Sequence, residues 1–153
     1  MTTLVPIDGT QASLDAARFA ASSRPDSDLL LLYVAPSARP VDLARGKFLL
    51  ESMARKCQGV SEDVNILTRL EVGEKGTKLS EVAEEADCDL IVVGAPASHA
   101  SPGRRRVEED EVEWTGAVRR PLVFVLPTGE SVAAGGAHYD DDERPEALAG
   151  RAA

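Results

Sequence analysis

Two rhythms of apolar residues alternate along this chain. Short aliphatic runs are separated by longer stretches in which apolar positions recur every three or four residues. The runs read as strands at 4–7, 28–34, 64–72, 90–93 and 122–126. The periodic stretches read as helices over about 11–21, 42–57, 77–86 and 104–118. In the first helix Leu14, Ala17 and Ala21 form the inner stripe, and Thr10 stands where an N-cap belongs. In the second, Leu50, Met53, Ala54 and Cys57 fall at i, i+3, i+4 and i+7; in the third, Leu79, Val82, Ala83 and Ala86 do the same. The second strand is continuously apolar, as burial on both faces requires. The third alternates, with Val64, Ile66, Leu70 and Val72 on one face and Asn65, Arg69 and Glu71 on the other, which suits a sheet edge.

Strands that alternate with helices build an α/β domain, and right-handed crossovers arrange them as a doubly wound parallel sheet with helices on both faces. With the third strand at an edge, the five-stranded order is 3-2-1-4-5. The switch point then lies between strands one and four, and ligands bind there at the carboxyl ends of the strands. Two strand exits face that point. One is Leu4-Val5-Pro6-Ile7-Asp8-Gly9-Thr10; the other is Asp89-Leu90-Ile91-Val92-Val93-Gly94, followed by a small-residue loop over 95–103. From residue 128 the periodicity stops, and Ala, Gly and an acidic run at 140–143 take over. The expected organisation is a folded domain over 1–127 and a disordered acidic tail over 128–153.

At 153 residues the chain suits one domain. Its net charge of -9 argues against nucleic acid and anionic membrane surfaces as generic partners. The longest apolar run, 29–35, is too short to span a bilayer, and no basic segment leads into an apolar core at the start, so a cytoplasmic location is expected. Cys57 lies on the apolar stripe of the second helix and Cys88 just before a buried strand; core packing is expected for both. His99 and His138 stand alone, and no metal site is expected. Trp114 is expected to pack the last helix on the sheet. Neither a Walker A sequence nor a nucleophile elbow occurs. Asp8-Gly9-Thr10 matches the end of the D-x-D-G-T motif of haloacid-dehalogenase-type phosphatases, but the nucleophile position holds Pro6, which has no carboxylate.

The opening segment 4–21, the run 29–35, the Val72-Gly73 exit, the segment 89–94 and the terminal Pro121-Leu122-Val123-Phe124-Val125 together resemble the universal stress protein family over roughly residues 2–127. The resemblance implies the five-stranded fold inferred above and, for many members, a dimer through the last strand, here from Leu122 to Leu126. One branch of the family binds ATP through a loop of form G-x2-G-x9-G-[ST] after strand four, with an aspartate at the position of Asp8 holding the nucleoside. Another branch lacks the motif and does not bind ATP.

Residue by residue, Gly94 matches the first glycine, but the second position holds Ala97. The closing pair falls at Val107-Glu108 or, with one inserted loop residue, at Glu108-Glu109. Glycines let backbone N–H groups approach phosphate oxygens, and the hydroxyl donates a further bond. A carboxylate about 4 Å from a phosphate instead costs about 1 to 4 kcal/mol at effective dielectrics from about 80 to 20. Arg104, Arg105 and Arg106 stand at a helix start, yet Glu108, Glu109 and Asp110 follow each at i+4 and neutralise them. The expectation is a motif-deficient binding or regulatory domain without catalysis or resident cofactor, working as a homodimer or with a related protein. The alternative is an ATP-binding, slowly hydrolysing switch. Asp8, Gly9, Thr10, Val34, Gly94, Ser98 and Gly103 are the candidate ligand contacts. For Asp8 a purely local task competes with this, because an aspartate before Gly-Thr satisfies turn and helix-start N–H groups.

Overall fold

The computed structural model describes residues 1–94, 120–125 and 131–133. Six strands form one sheet: β1 (Thr2–Pro6), β2 (Asp28–Ala35), β3 (Asn65–Val72), β4 (Leu90–Gly94), β5 (Leu122–Val125) and β6 (Ser131–Ala133). The spatial order is β3-β2-β1-β4-β5-β6. The first five strands are parallel, in the order 3-2-1-4-5 that the periodicity implies. The sixth runs antiparallel to β5 and lies inside the stretch expected to be a disordered tail. Three residues in a small-residue context carry too little periodicity to read as a strand from the sequence, and these pair with the β5 edge beside them. The helix expected over 104–118, Trp114, His99 and His138 lie outside the described residues.

Three helices are described: α1 (Gln11–Ser23), α2 (Pro40–Gln58) and α3 (Lys75–Glu85). Alternate strand residues send their side chains to opposite faces of the sheet. Val5, Leu29, Leu31, Tyr33, Val92 and Val123 pack with α1 and α2 on one side. Leu4, Leu30, Leu32, Val34, Ile91, Val93 and Phe124 pack with α3 on the other. Each face thus receives alternate residues of β1, β2, β4 and β5, and β2 is apolar and buried from Leu29 to Ala35 because both of its faces are covered. β3 is an edge strand as its alternation implies. Arg69 on its outer face pairs with Glu71 at 2.8 Å and also reaches Glu85 of α3. Cys57 and Cys88 are fully buried, and burial pushes each thiol up to about 11.

Helix starts follow local chemistry. Thr10 caps α1, its hydroxyl accepting from Ser13 N at 3.2 Å. α3 begins two residues before its expected start because Glu74 is its cap, accepting from Thr77 N at 2.9 Å. The Thr77 hydroxyl also donates to Glu74, and this bond, together with that from Thr77 N, holds the Glu74 carboxyl below its usual range. The amino-terminal ends of β1 and β4 are tied by Asp89, which accepts from Thr2 N at 2.9 Å and pairs with the Arg24 guanidinium just past α1. Arg120 does the same for β5: it grips Glu84 with two nitrogens, Asp87 at 3.0 Å and the Cys88 carbonyl at 2.7 Å.

Asp89→Ala should cost about 2 kcal/mol of stability, because it strands a mostly buried guanidinium and a backbone donor. Arg39→Ala, at a largely exposed ion pair, should cost at most about 0.5 kcal/mol. Urea unfolding of the two variants side by side checks the contrast.

Candidate functional site

The crevice arises from the sheet pairing itself. β1 pairs with β2 over five residues, but with β4 over only two, Thr3 with Leu90 and Leu4 with Ile91. Beyond those pairs β1 and β4 make no further ladder contact, and the gap between them is the switch point. On the other side, β1 stays attached to β2, since Ile7 N donates to Leu32 O at 2.7 Å.

Asp8, Gly9 and Thr10 form the polar lip of this gap. Asp8 Oδ1 accepts from Thr10 N at 3.0 Å and from Thr10 Oγ1 at 2.6 Å. Thr10 in turn receives Ser13 N, and Ser13 Oγ donates back to Thr10 O at 2.9 Å. One Asp8 oxygen is therefore committed to shaping the turn and the helix start. Among the described residues Oδ2 has no partner and remains available to accept. Gly9 has φ +87°, a left-handed conformation that favours glycine. Its missing side chain also leaves a seat for α2: a Cβ there would lie 3.2 Å from Leu49 Cδ1 and 3.3 Å from Arg45 Nη2.

Gly94 meets the opposite lip in a way the phosphate-loop comparison does not anticipate. A Cβ at this position would lie 2.0 Å from the Ala12 carbonyl oxygen and 3.0 Å from Ser13 N. The first turn of α1 therefore rests directly on the end of β4. Glycine is required there for backbone-to-backbone packing, whether or not any ligand binds. Asp8, Gly9, Thr10 and Gly94 come together through Ala12 and Ser13. Val34 does not join them: it is 4% exposed and packs into the α3-side core. Ser98 and Gly103 lie outside the described residues, as do Ala97 and residues 104–111.

Arg45 is the residue that sequence reasoning missed. It is exposed, sits on the first half of α2, and carries its guanidinium to the Gly9 turn. No described carboxylate pairs with it. Its i, i+4 partner Leu49, seated on the same glycine, was the available signal, but a charged residue in a helix reads by default as a solvated one. A separate groove of about 370 Å³ runs between α2 and β3 over Leu50, Thr68 and Leu70. It shares no residue with the crevice.

A doubly wound sheet with a polar turn and a glycine strand end at its switch point defines an open α/β domain with a crevice between β1 and β4. The model of the universal stress protein family matches residues 1–107, and the chain belongs to that family. Among curated proteins, none matches the chain. Among solved structures, the chain is similar to the universal stress protein of Archaeoglobus fulgidus in complex with dAMP, with TM-score 0.67, 15% identity, and coverage of 81% of this chain and 96% of that one. It is also similar to a universal stress protein family member of Arabidopsis thaliana with AMP bound, with TM-score 0.57, 20% identity, and coverage of 82% and 90%. A third is UspA of Lactobacillus plantarum, with TM-score 0.62, 21% identity, and coverage of 81% and 96%. These likenesses establish the shared fold.

Gly94→Ala should destabilise the chain by about 3 kcal/mol or more in the absence of any nucleotide, since the clash is with backbone that cannot rotate away. Thermal unfolding of ligand-free protein checks it; an unchanged melting temperature would show that the contact relaxes freely. The two thiols, buried and hard to ionise, should react with a disulfide reagent at pH 8 only at the rate of unfolding. Stopped-flow measurement with and without denaturant separates that from direct attack.

Proposed function

We propose that this chain is a binding or regulatory universal stress protein, without catalysis of its own, whose crevice keeps the family's frame but has lost its phosphate-binding half. The observation that carries the reading is the loop's closing pair, Val107-Glu108 or Glu108-Glu109, which puts one or two carboxylates in place of glycine and a hydroxyl. The local geometry supports it. Asp8 and Gly94 both match nucleotide-binding members, yet both have structural work that explains them without a ligand. Their presence is therefore no argument for ATP.

A second reading, an ATP-binding switch, is favoured by Arg45, a cation at the Gly9 turn with no carboxylate among the described residues paired to it. The solved relatives from Archaeoglobus fulgidus and Arabidopsis thaliana hold adenine monophosphates. On this reading Arg45 takes the place of the lost loop donors as the anion's partner.

Isothermal titration with magnesium-ATP should give a dissociation constant weaker than about 1 mM, equivalent to about 4 kcal/mol of binding. A low-micromolar constant that Arg45→Ala weakens tenfold or more would establish the second reading instead. The triple change Ala97→Gly, Val107→Gly, Glu108→Ser should tighten ATP by about 2 to 4 kcal/mol, or roughly 30- to 1000-fold, from the restored donors and the removed carboxylate. Ala97→Gly with Glu108→Gly and Glu109→Ser covers the other register. If both variants fold and neither gains, the crevice is not a nucleotide site.

A further inference from the structure

The outer side of α2 combines exposed apolar side chains with cations that have no ion pair. Val41, Ala44, Phe48 and Arg55 fall at i, i+3, i+7 and i+14, on one line along the exposed side of the helix. Val41 is 66% exposed and Phe48 64%, and the two large side chains stand about 10 Å apart along the axis. Lys47 and Lys56 flank the line. Among the described residues neither these lysines nor Arg55 has an ion pair, while Asp42 is taken by Ser37 and Arg39. Arg45 turns to Gly9 and belongs to the crevice. α2 thus holds four cations against two acids, in a chain of net charge -9. The balance is reversed on the α3 side of the sheet, where residues 74–87 hold five acids against two lysines.

We propose that the chain's own acidic segment docks on this face: the carboxylates of 140–146 meet Lys47, Arg55 and Lys56, and Leu148 lies over Phe48. Residues 134–153 lie outside the described residues, but their sequence complements the face. Within 139–148, Asp140, Asp141, Asp142, Glu143 and Glu146 stand against Arg144 alone, and Leu148 follows them. The other acidic run, 108–111, has Arg104 to Arg106 one turn before it and is balanced locally. The segment is long enough to arrive. α2 packs over β2 and β3, where a Cβ at Gly46 would lie 2.5 Å from Tyr33 Cδ2 and 2.7 Å from Leu70 Cδ1. Those strands stand four and five places from β6, or about 19 and 24 Å at about 4.8 Å per strand. Glu143 is ten residues past Ala133 and Leu148 fifteen, about 33 and 50 Å of extended chain. Like charge repels the segment from the α3 side, so the field of the domain directs it to α2. Docked there, it covers the apolar line of α2 and is held mainly by charge.

A nitroxide on Ala149→Cys in the full chain tests this, since Cys57 and Cys88 are buried and stay unlabelled. At low salt the amide signals of Ala44, Phe48 and Arg55 should weaken at least twofold against the reduced label, and those of α3 should not change. At about 1 M salt, where the Debye length falls to about 3 Å, the weakening should be lost. It should also be lost in the full chain carrying Asp140→Asn, Asp141→Asn, Asp142→Asn and Glu143→Gln, changes made outside the folded sheet. Phe48→Ser, at an exposed position, should reduce it at least twofold at Ala44 and Arg55. Isotope-enriched chain without nitroxide, mixed with nitroxide-bearing chain that is not enriched, should show no weakening. Signals on α2 that never weaken overturn the proposal, as does weakening that is unchanged in either variant. Weakening in the mixed sample overturns it too, because the occupant is then the segment of a second copy.

Discussion

The contact between Gly94 and the first turn of α1 governs the functional end of this molecule. Two backbones touch there with no side chain between them. A helix start can lie on a strand end only if the strand supplies glycine, and only if the helix cap turns the chain sharply enough to bring it there. The second condition is met by Asp8, Thr10 and Ser13, whose hydrogen bonds close the turn around Gly9. The gap between β1 and β4 follows, since their pairing stops after two residues and α1 rests across the opening. The crevice is a by-product of how α1 is seated, and its two lips are parts of one joint.

That origin changes how the crevice residues are read. A glycine at a strand exit and an aspartate before Gly-Thr are the features by which nucleotide-binding relatives are recognised. Here each is explained by the joint. What distinguishes a phosphate site from an empty frame is the set of donors beyond Gly94, and the proposed reading rests on the carboxylates that the sequence carries at 108–111. Arg45 brings a cation to the turn at Gly9.

Most of the architecture was legible because its signals are periodic. The continuous apolar run of β2 and the alternation in β3 placed one strand at the centre and the other at the edge, and the order followed. Cys57 was legible from its position on a helical stripe. The details that were not legible depend on single contacts. Glu74 as a cap depends on one carboxylate reaching Thr77 N. Gly94 looked like half of a ligand motif because steric need and phosphate approach select the same residue. Arg45 looked solvated because nothing in a linear pattern shows a helix leaning over a distant turn. Val34 looked like pocket lining because it ends an apolar run near the crevice, but its side chain falls on the α3 face. β6 was invisible because its order comes from the edge it covers rather than from its own composition.

The central claim is that the frame of a nucleotide site survives without its phosphate half. Comparing adenosine, AMP and ATP by chemical-shift titration at the amides of Gly9, Thr10, Ser13 and Gly94 tests it most directly. The account predicts that affinity stays flat or falls as phosphates are added, with shifts only at millimolar ligand. Affinity that climbs tenfold or more from adenosine to ATP would contradict it.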